Sequence, residues 1–181
     1  MPAGVPAGNT LTEVSGKALT LAGTSTGGGI RGVYKTPPSA PYRIAILAQN
    51  MIIGDDSWPS FGWRDSANGH MHLLLPNGPA MDVQQYSNPT TFVGADKVTT
   101  MRSVDGSYLW VGLRDDGTNV YFELSQDGVN FVTYFTISKA SGYLGSSGYN
   151  RVFFALRQNN SENSLLTIRV WDENGLSRSF P

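Results

Sequence analysis

The chain has 181 residues, a formal net charge of −1 and no cysteine. Its length suits one domain with its own core. The near-zero charge gives no electrostatic footing for nucleic acid or an anionic membrane surface, and the missing thiols exclude disulfides, cysteine nucleophiles and thiolate metal sites.

Residues 1–10, MPAGVPAGNT, read as a flexible arm with Pro2 and Pro6 among small residues. The arm has neither the basic nor the apolar stretch of a secretory signal, which predicts synthesis in a cytosol. Residues 11–181 read as a single domain. Short apolar runs alternate there with Gly, Pro and Asx clusters, and 21 Gly with 10 Pro fit strands joined by tight turns. The pattern predicts strands over 13–22, 30–35, 42–53, 60–64, 70–75, 81–86, 97–104, 108–114, 119–125, 131–137, 152–158 and 165–171. No helical period interrupts them, no segment repeats, and no run is long and apolar enough to span a bilayer. The expected fold class is all-β, a two-sheet antiparallel sandwich.

The stretch LRDDGTNVYFELSQDGVNFVTYFTI, residues 113–137, crowds Asp115, Asp116, Glu123 and Asp127 together. Three antiparallel strands place its two Asp-Gly steps at the connections. Gly117 and Gly128 then supply positive φ, and Asp116 and Asp127 bond local amides. Alternation sends Leu109, Val111, Leu113, Val120, Phe122, Leu124, Phe131, Thr133, Phe135 and Ile137 to a core face. The opposite face takes Tyr108, Trp110, Arg114, Tyr121, Glu123, Ser125 and Tyr134. On the last strand, Arg169 and Trp171 point one way and Leu166, Ile168 and Val170 the other.

Hydrolysis of a glycosidic bond needs two carboxyl groups flanking it, and Glu123 stands alone on its strand. Glu13, Glu162 and Glu173 lie in edge or loop contexts. His70 and His72 share a strand face but find no third metal ligand nearby, so they read as solvent-facing beside inward Met71 and Leu73. Asp115, Asp116 and Asn119, and likewise Asp55 and Asp56, lack the graded spacing of calcium loops. No Gly-x-Ser-x-Gly elbow or phosphate loop is present, the Gly-rich TSTGGG at 24–29 reading as a turn. What remains is aromatic display. Trp110, Arg114, Tyr121, Glu123 and Tyr134, joined by Arg169 and Trp171, suit a sugar ring, a subunit interface or a loop-covered core. Trp58, Trp63 and Tyr86 form a second grouping near a sheet end.

Several stretches carry a resemblance: PYRIAILAQNMI, FGWRDSANGHMHLL, LWVGLRDDGTNVYFELSQDGVNFVTYFTISKASGYLG and VFFALRQNNSENSLLTIRVWD. Their order is similar to that of concanavalin-A-like (lectin/glucanase, laminin-G-like) jelly-roll domains, in the version recurring in bacteriophage structural, fibre and decoration proteins. Arg64-Asp65 with Gly69, then Leu113 to Asn119 and Ser125 to Phe131, match its turn signatures. The resemblance covers about residues 10–175 and implies a jelly roll of two antiparallel sheets, without cofactor, metal or catalytic residues. It further implies a non-enzymatic virion surface protein, a head decoration or a fibre or tail receptor-binding component, made in the host cytoplasm. Its implied partners are capsid or tail proteins met through the arm, further copies of itself in a homo-oligomer, and host surface polysaccharide, with no nucleic acid and no membrane insertion. The alternative is a carbohydrate-binding module or remote glycoside hydrolase.

Overall fold

Period-two alternation of apolar and polar side chains becomes strand after strand in the computed structural model. It describes residues 9–14, 18–24, 29–53, 57–77, 80–100, 109–158 and 163–173. The strands are β1 (Asn9–Val14), β2 (Ala18–Thr24), β3 (Gly29–Lys35), β4 (Tyr42–Ile53), β5 (Ser57–Arg64), β6 (Met71–Asn77) and β7 (Ala80–Asn88). They continue with β8 (Thr91–Thr100), β9 (Leu109–Asp115), β10 (Asn119–Ser125), β11 (Val132–Ser138), β12 (Arg151–Gln158) and β13 (Asn163–Glu173), with a single helical turn, α1 (Gly145–Gly148). Residues 1–8 of the expected arm, Tyr108, Glu162 and the Asp55-Asp56 pair lie outside the described residues.

Two antiparallel sheets stack as a sandwich, as the alternation predicts, and the sandwich is the jelly roll that the resemblance implies. One has seven strands in the order β1-β2-β13-β4-β9-β10-β11, the other six in the order β3-β12-β5-β6-β7-β8. The predicted strand over 13–22 is instead a hairpin, with β1 and β2 paired from Asn9↔Gly23 to Val14↔Ala18. The strand expected over 97–104 begins early, at Thr91, because Asn88-Pro89-Thr90 turns the chain straight back along β7. Asn88 Oδ1 fixes that turn by accepting from the Thr90 amide at 3.0 Å and the Thr90 hydroxyl at 2.9 Å.

Between the sheets lies a core drawn from both, including Ile44, Val111, Leu113 and Phe122 of one and Phe61, Trp63, Leu74 and Val83 of the other. Burial of such side chains stabilises the fold by about 1.5–3 kcal/mol each. Trp63 sits at the centre, its indole N–H donating to Tyr42 Oη at 3.0 Å and its ring meeting Phe122 edge-on at 4.9 Å. Burial pushes the Tyr42 hydroxyl pKa well up.

A second buried cluster contains Ile30, Trp58, Met71, Leu73, Leu75, Tyr86, Phe153 and Ala155. Every member comes from the six-stranded sheet, so this cluster occupies that sheet's outer face. The sheet curls over it. β3 and β7 are four places apart in the ladder, roughly 19 Å at a spacing of about 4.8 Å if the sheet were flat. Yet the Ile30 amide donates to the Pro89 carbonyl over 2.8 Å. The turn after β7 therefore folds back to the start of β3 and closes a seam over the face.

Candidate functional site

The acidic stretch of residues 113–137 is turn chemistry, as its Asp-Gly steps predict. Gly117 has φ 97° and Gly128 φ 75°. Asp116 Oδ1 accepts from the amides of Thr118 and Asn119 at 2.8 and 2.7 Å, and Asp127 Oδ1 from those of Val129 and Asn130 at 2.9 and 2.8 Å. Asp115 pairs with Lys139 at 2.8 Å and caps the Gly117 amide. These carboxylates are aimed at backbone and lysine instead of converging on a cation, and no cluster of three or more metal-ligating side chains occurs among the described residues.

The predicted display face is the outer face of the seven-stranded sheet. Trp110, Arg114, Tyr121 and Glu123 do meet there. Glu123 is 2% exposed and is clamped by Arg43 Nε and Arg114 Nε, both at 2.7 Å. The Arg114 guanidinium lies 3.4 Å from the Tyr121 ring centroid, and Tyr121 donates to Asp116 at 2.5 Å. Trp110 covers Gly128 so closely that a Cβ there would stand 2.5 Å from the indole. Arg43, missed by the sequence reading, comes from β4 and completes the clamp. The charged groups of this face are thus satisfied by one another.

Two expectations about this face fail, each at a β-bulge. Between Phe122 and Glu123 the β10–β11 register shifts from Phe122↔Phe135 to Glu123↔Thr133, leaving Tyr134 as the extra residue. Tyr134 therefore turns inward, its hydroxyl donating to the Met81 carbonyl of the opposite sheet at 2.6 Å. Phe131 and Thr133, expected in the core, fall on the outer side instead, where Arg43 lies 5.1 Å from the Phe131 ring centroid. In β13 the register shifts between Ile168 and Val170. Arg169 is exposed at that bulge, whereas Trp171 packs on the intersheet core, 5.9 Å from Phe154. Arg169 and Trp171 do not share a face.

His72 also departs from expectation. It is 1% exposed and faces the intersheet core, whereas Met71 and Leu73 point to the outer cluster. Its Nε2 stands 2.6 Å from Asp96 Oδ2. Its Nδ1 is 3.3 Å from the Tyr149 hydroxyl. The His72 contact is the main cause holding the Asp96 carboxyl below its ordinary range, while burial pushes the Tyr149 hydroxyl up to about 12. The group ties β6, β8 and the segment after α1 together.

The open feature lies at the seam. A cavity of about 160 Å³ is lined by Gly29, Ile30, Tyr86, Pro89, Thr90, Phe92 and Arg157. Phe92 is 51% exposed and meets Tyr86 edge-on at 5.6 Å. The Arg157 guanidinium lies 4.8 Å from the Trp58 ring centroid and 5.9 Å from that of Tyr86. Beneath them runs a buried polar string in which the Tyr86 hydroxyl donates to Gln84 Oε1 and the Gln84 amide to Asp82 Oδ2, each at 2.8 Å. Trp58 and Tyr86 were grouped from sequence, but Trp63 belongs to the opposite face. Phe92 and Arg157 carried no sequence signal, since the seam joins strands far apart in the ladder.

Comparison with solved structures places this architecture. A GH16 protein of the Bacteroides ovatus mixed linkage glucan PUL, in complex with product, superposes with a TM-score of 0.61 at 12% identity over 92% of this chain and 85% of its own. An alginate lyase of polysaccharide lyase family 7 gives 0.57 at 11% over 94% and 84%. A legume lectin-like domain from Entamoeba histolytica gives 0.53 at 7% over 93% and 88%. The fold is the concanavalin-A-like jelly roll. At these identities the likeness concerns the fold alone. No protein-family model and no curated protein matches the chain.

Proposed function

We propose that this jelly roll is a non-catalytic carbohydrate-binding protein that takes part of a glycan into the seam cavity. Phe92 is the stacking face, and Tyr86 and Arg157 form the floor. The observation that carries this reading is the half-exposed Phe92 ring standing edge-on to the buried Tyr86 ring, with the half-buried Arg157 guanidinium beside it. Aromatic faces with nearby hydrogen-bonding groups suit the apolar faces of sugar rings. A cavity of about 160 Å³ is smaller than the pockets of roughly 300–1,000 Å³ that enclose drug-sized ligands, so it suits one ring of a glycan terminus. A sugar-directed role also agrees with the company the fold keeps: a glucan hydrolase-family protein, an alginate lyase and a lectin-like domain.

The non-catalytic part rests on the carboxylates. Among the described residues, Asp82 is the acid on this outer face, and Gln84 engages it. Glu123 stands on the other sheet and is held by two arginines. Two-carboxylate hydrolysis has no pair to use there.

The setting we propose is a virion surface, on the strength of the turn signatures at Arg64 to Gly69, Leu113 to Asn119 and Ser125 to Phe131. Residues 1–10 would dock the domain on particle proteins. The outer face bearing Trp110, Arg114, Tyr121 and Glu123 would meet other copies.

A glycan screen on wild-type protein and Phe92→Ala tests the binding claim. Loss of binding with an unchanged melting temperature supports it, and unaltered binding moves the site elsewhere. Release of reducing sugar by the wild type makes the protein an enzyme. Gold-labelled antibody on purified virions tests the setting, and unlabelled particles overturn it.

A further inference from the structure

Arg157, like Arg64 at 5.0 Å from the Tyr34 ring centroid, meets aromatic rings and not a carboxylate. Arg43 and Arg114 share the Glu123 carboxylate. The Arg157 guanidinium lies near both the Trp58 and Tyr86 rings, and no salt bridge among the described residues involves it. A guanidinium stacked on rings keeps its in-plane N–H donors at the edge, where they match a carboxylate bidentately. Arg157 lines the cavity, whose other lining residues, Gly29, Ile30, Tyr86, Pro89, Thr90 and Phe92, include no acid. The Thr90 hydroxyl is already donated to Asn88, so Arg157 supplies the cavity's one formal charge among its lining residues.

We infer that the ligand of this cavity is an acidic glycan. A carboxylated pyranose is held with its carboxylate on Arg157 and its ring against Phe92. This rests on the reading of the cavity as a glycan site and adds the substrate class to it. Selectivity is local, because a net charge of −1 gives the protein no general attraction for polyanions.

Such a carboxylate comes either from a terminal uronic acid or from a terminal sialic acid. Titration calorimetry of the full chain with trigalacturonate, its methyl ester, sialyllactose and lactose separates the cases. A charge-assisted bidentate bond predicts that an acidic sugar binds at least about tenfold more tightly than its neutral counterpart. Preference for trigalacturonate over its ester assigns a uronate, and preference for sialyllactose over lactose a sialate. Arg157→Ala should lose roughly 10–100-fold more affinity for the acid than for the neutral form. Arg157→Lys keeps the charge and the stem over Trp58 but not the planar fork, so it should lose several-fold. It also guards against an unfolded alanine variant. Equal binding of acid and neutral forms, unmoved by Arg157→Lys, overturns the acidic class and leaves the glycan site standing. No binding of any of these sugars, together with a blank neutral glycan screen, overturns both.

Discussion

The amide of Ile30 in β3 reaches the carbonyl of Pro89, in the turn after β7, at 2.8 Å, although β3 and β7 stand four places apart in the sheet. That contact turns an outer sheet face into a second interior and leaves the cavity at its mouth. Gly29 makes it feasible. Its φ of +153° is disfavoured for L side chains, and a Cβ there would come within 3.3 Å of Thr90 Cγ2. Gly29→Ala should cost about 1–3 kcal/mol, and Asn88→Ala, which frees both Thr90 bonds, about 1 kcal/mol. Both should loosen the seam, so tryptophan emission should become more quenchable by acrylamide under native conditions, Trp58 being the indole beneath. Urea midpoints lowered without a change in quenching would mean that the seam does not shelter the outer face.

Glu123 should behave as a structural clamp. Replacing it with Gln removes the charge between Arg43 and Arg114. Loss of a buried, doubly paired carboxylate costs several kcal/mol in a dry interior. Both guanidinium groups here are partly open to water, so the expected loss is about 1–3 kcal/mol, read as a lower urea midpoint. A variant as stable as the wild type would show the clamp to be a surface pair of little consequence.

Acid should loosen the β9–β11 meander first. The Tyr121 hydroxyl, then the Asn119 and Thr118 amides, lower the Asp116 pKa to about 2, and the Asn130 and Val129 amides take Asp127 lower still. A carboxylate with a depressed folded pKa stabilises the fold fully above its unfolded value of about 3.9 and loses that contribution as pH falls through the folded value. The window is therefore roughly pH 4 down to pH 2 and below. Amide exchange in residues 113–137, followed between pH 4.5 and 2.5, should quicken relative to β12, after allowance for the intrinsic pH dependence of exchange. Asp127→Asn should flatten that response, and an unchanged slope in this variant would locate the acid sensitivity elsewhere.

How far the sequence could be read follows from what alternation can and cannot carry. β4 and β10 were bounded correctly from residues 42–53 and 119–125, since apolar side chains at period two and flanking turn residues fix both ends. The Asp-Gly turns were legible because their hydrogen bonds are local. Tyr134, Phe131, Thr133 and Trp171 were assigned to the wrong side because one extra residue inverts the phase of everything beyond it, and nothing in YFTI or IRVWD marks the extra residue. The seam cavity was illegible for a different reason. Ile30 faces Arg157 and Tyr86 faces Phe92 in neighbouring strands, but the two pairs meet only because the sheet curls, and curl is a property of the assembled ladder. His72 was misassigned with its strand, since Met71, Leu73 and Leu75 are as apolar as an intersheet face while belonging to the outer one.

The inward turn of Tyr134 can be tested directly. Its hydroxyl bonds the Met81 carbonyl at 2.6 Å, and its ring lies 4.2 Å from Lys97 Nζ, which also donates to the Tyr134 carbonyl at 2.8 Å. The side chain thus joins the two sheet edges, β11 and β8. Tyr134→Phe leaves a main-chain acceptor short of its partner and should cost about 1 kcal/mol. Tyr134→Ala removes the ring that packs on the core and should cost about 3 kcal/mol. The order matters more than the sizes. A residue on an outer ligand face would tolerate both changes in stability while losing binding, whereas an edge seal should lose stability in steps and bind normally whenever folded. Melting curves and binding isotherms on the same two variants therefore decide which face Tyr134 serves.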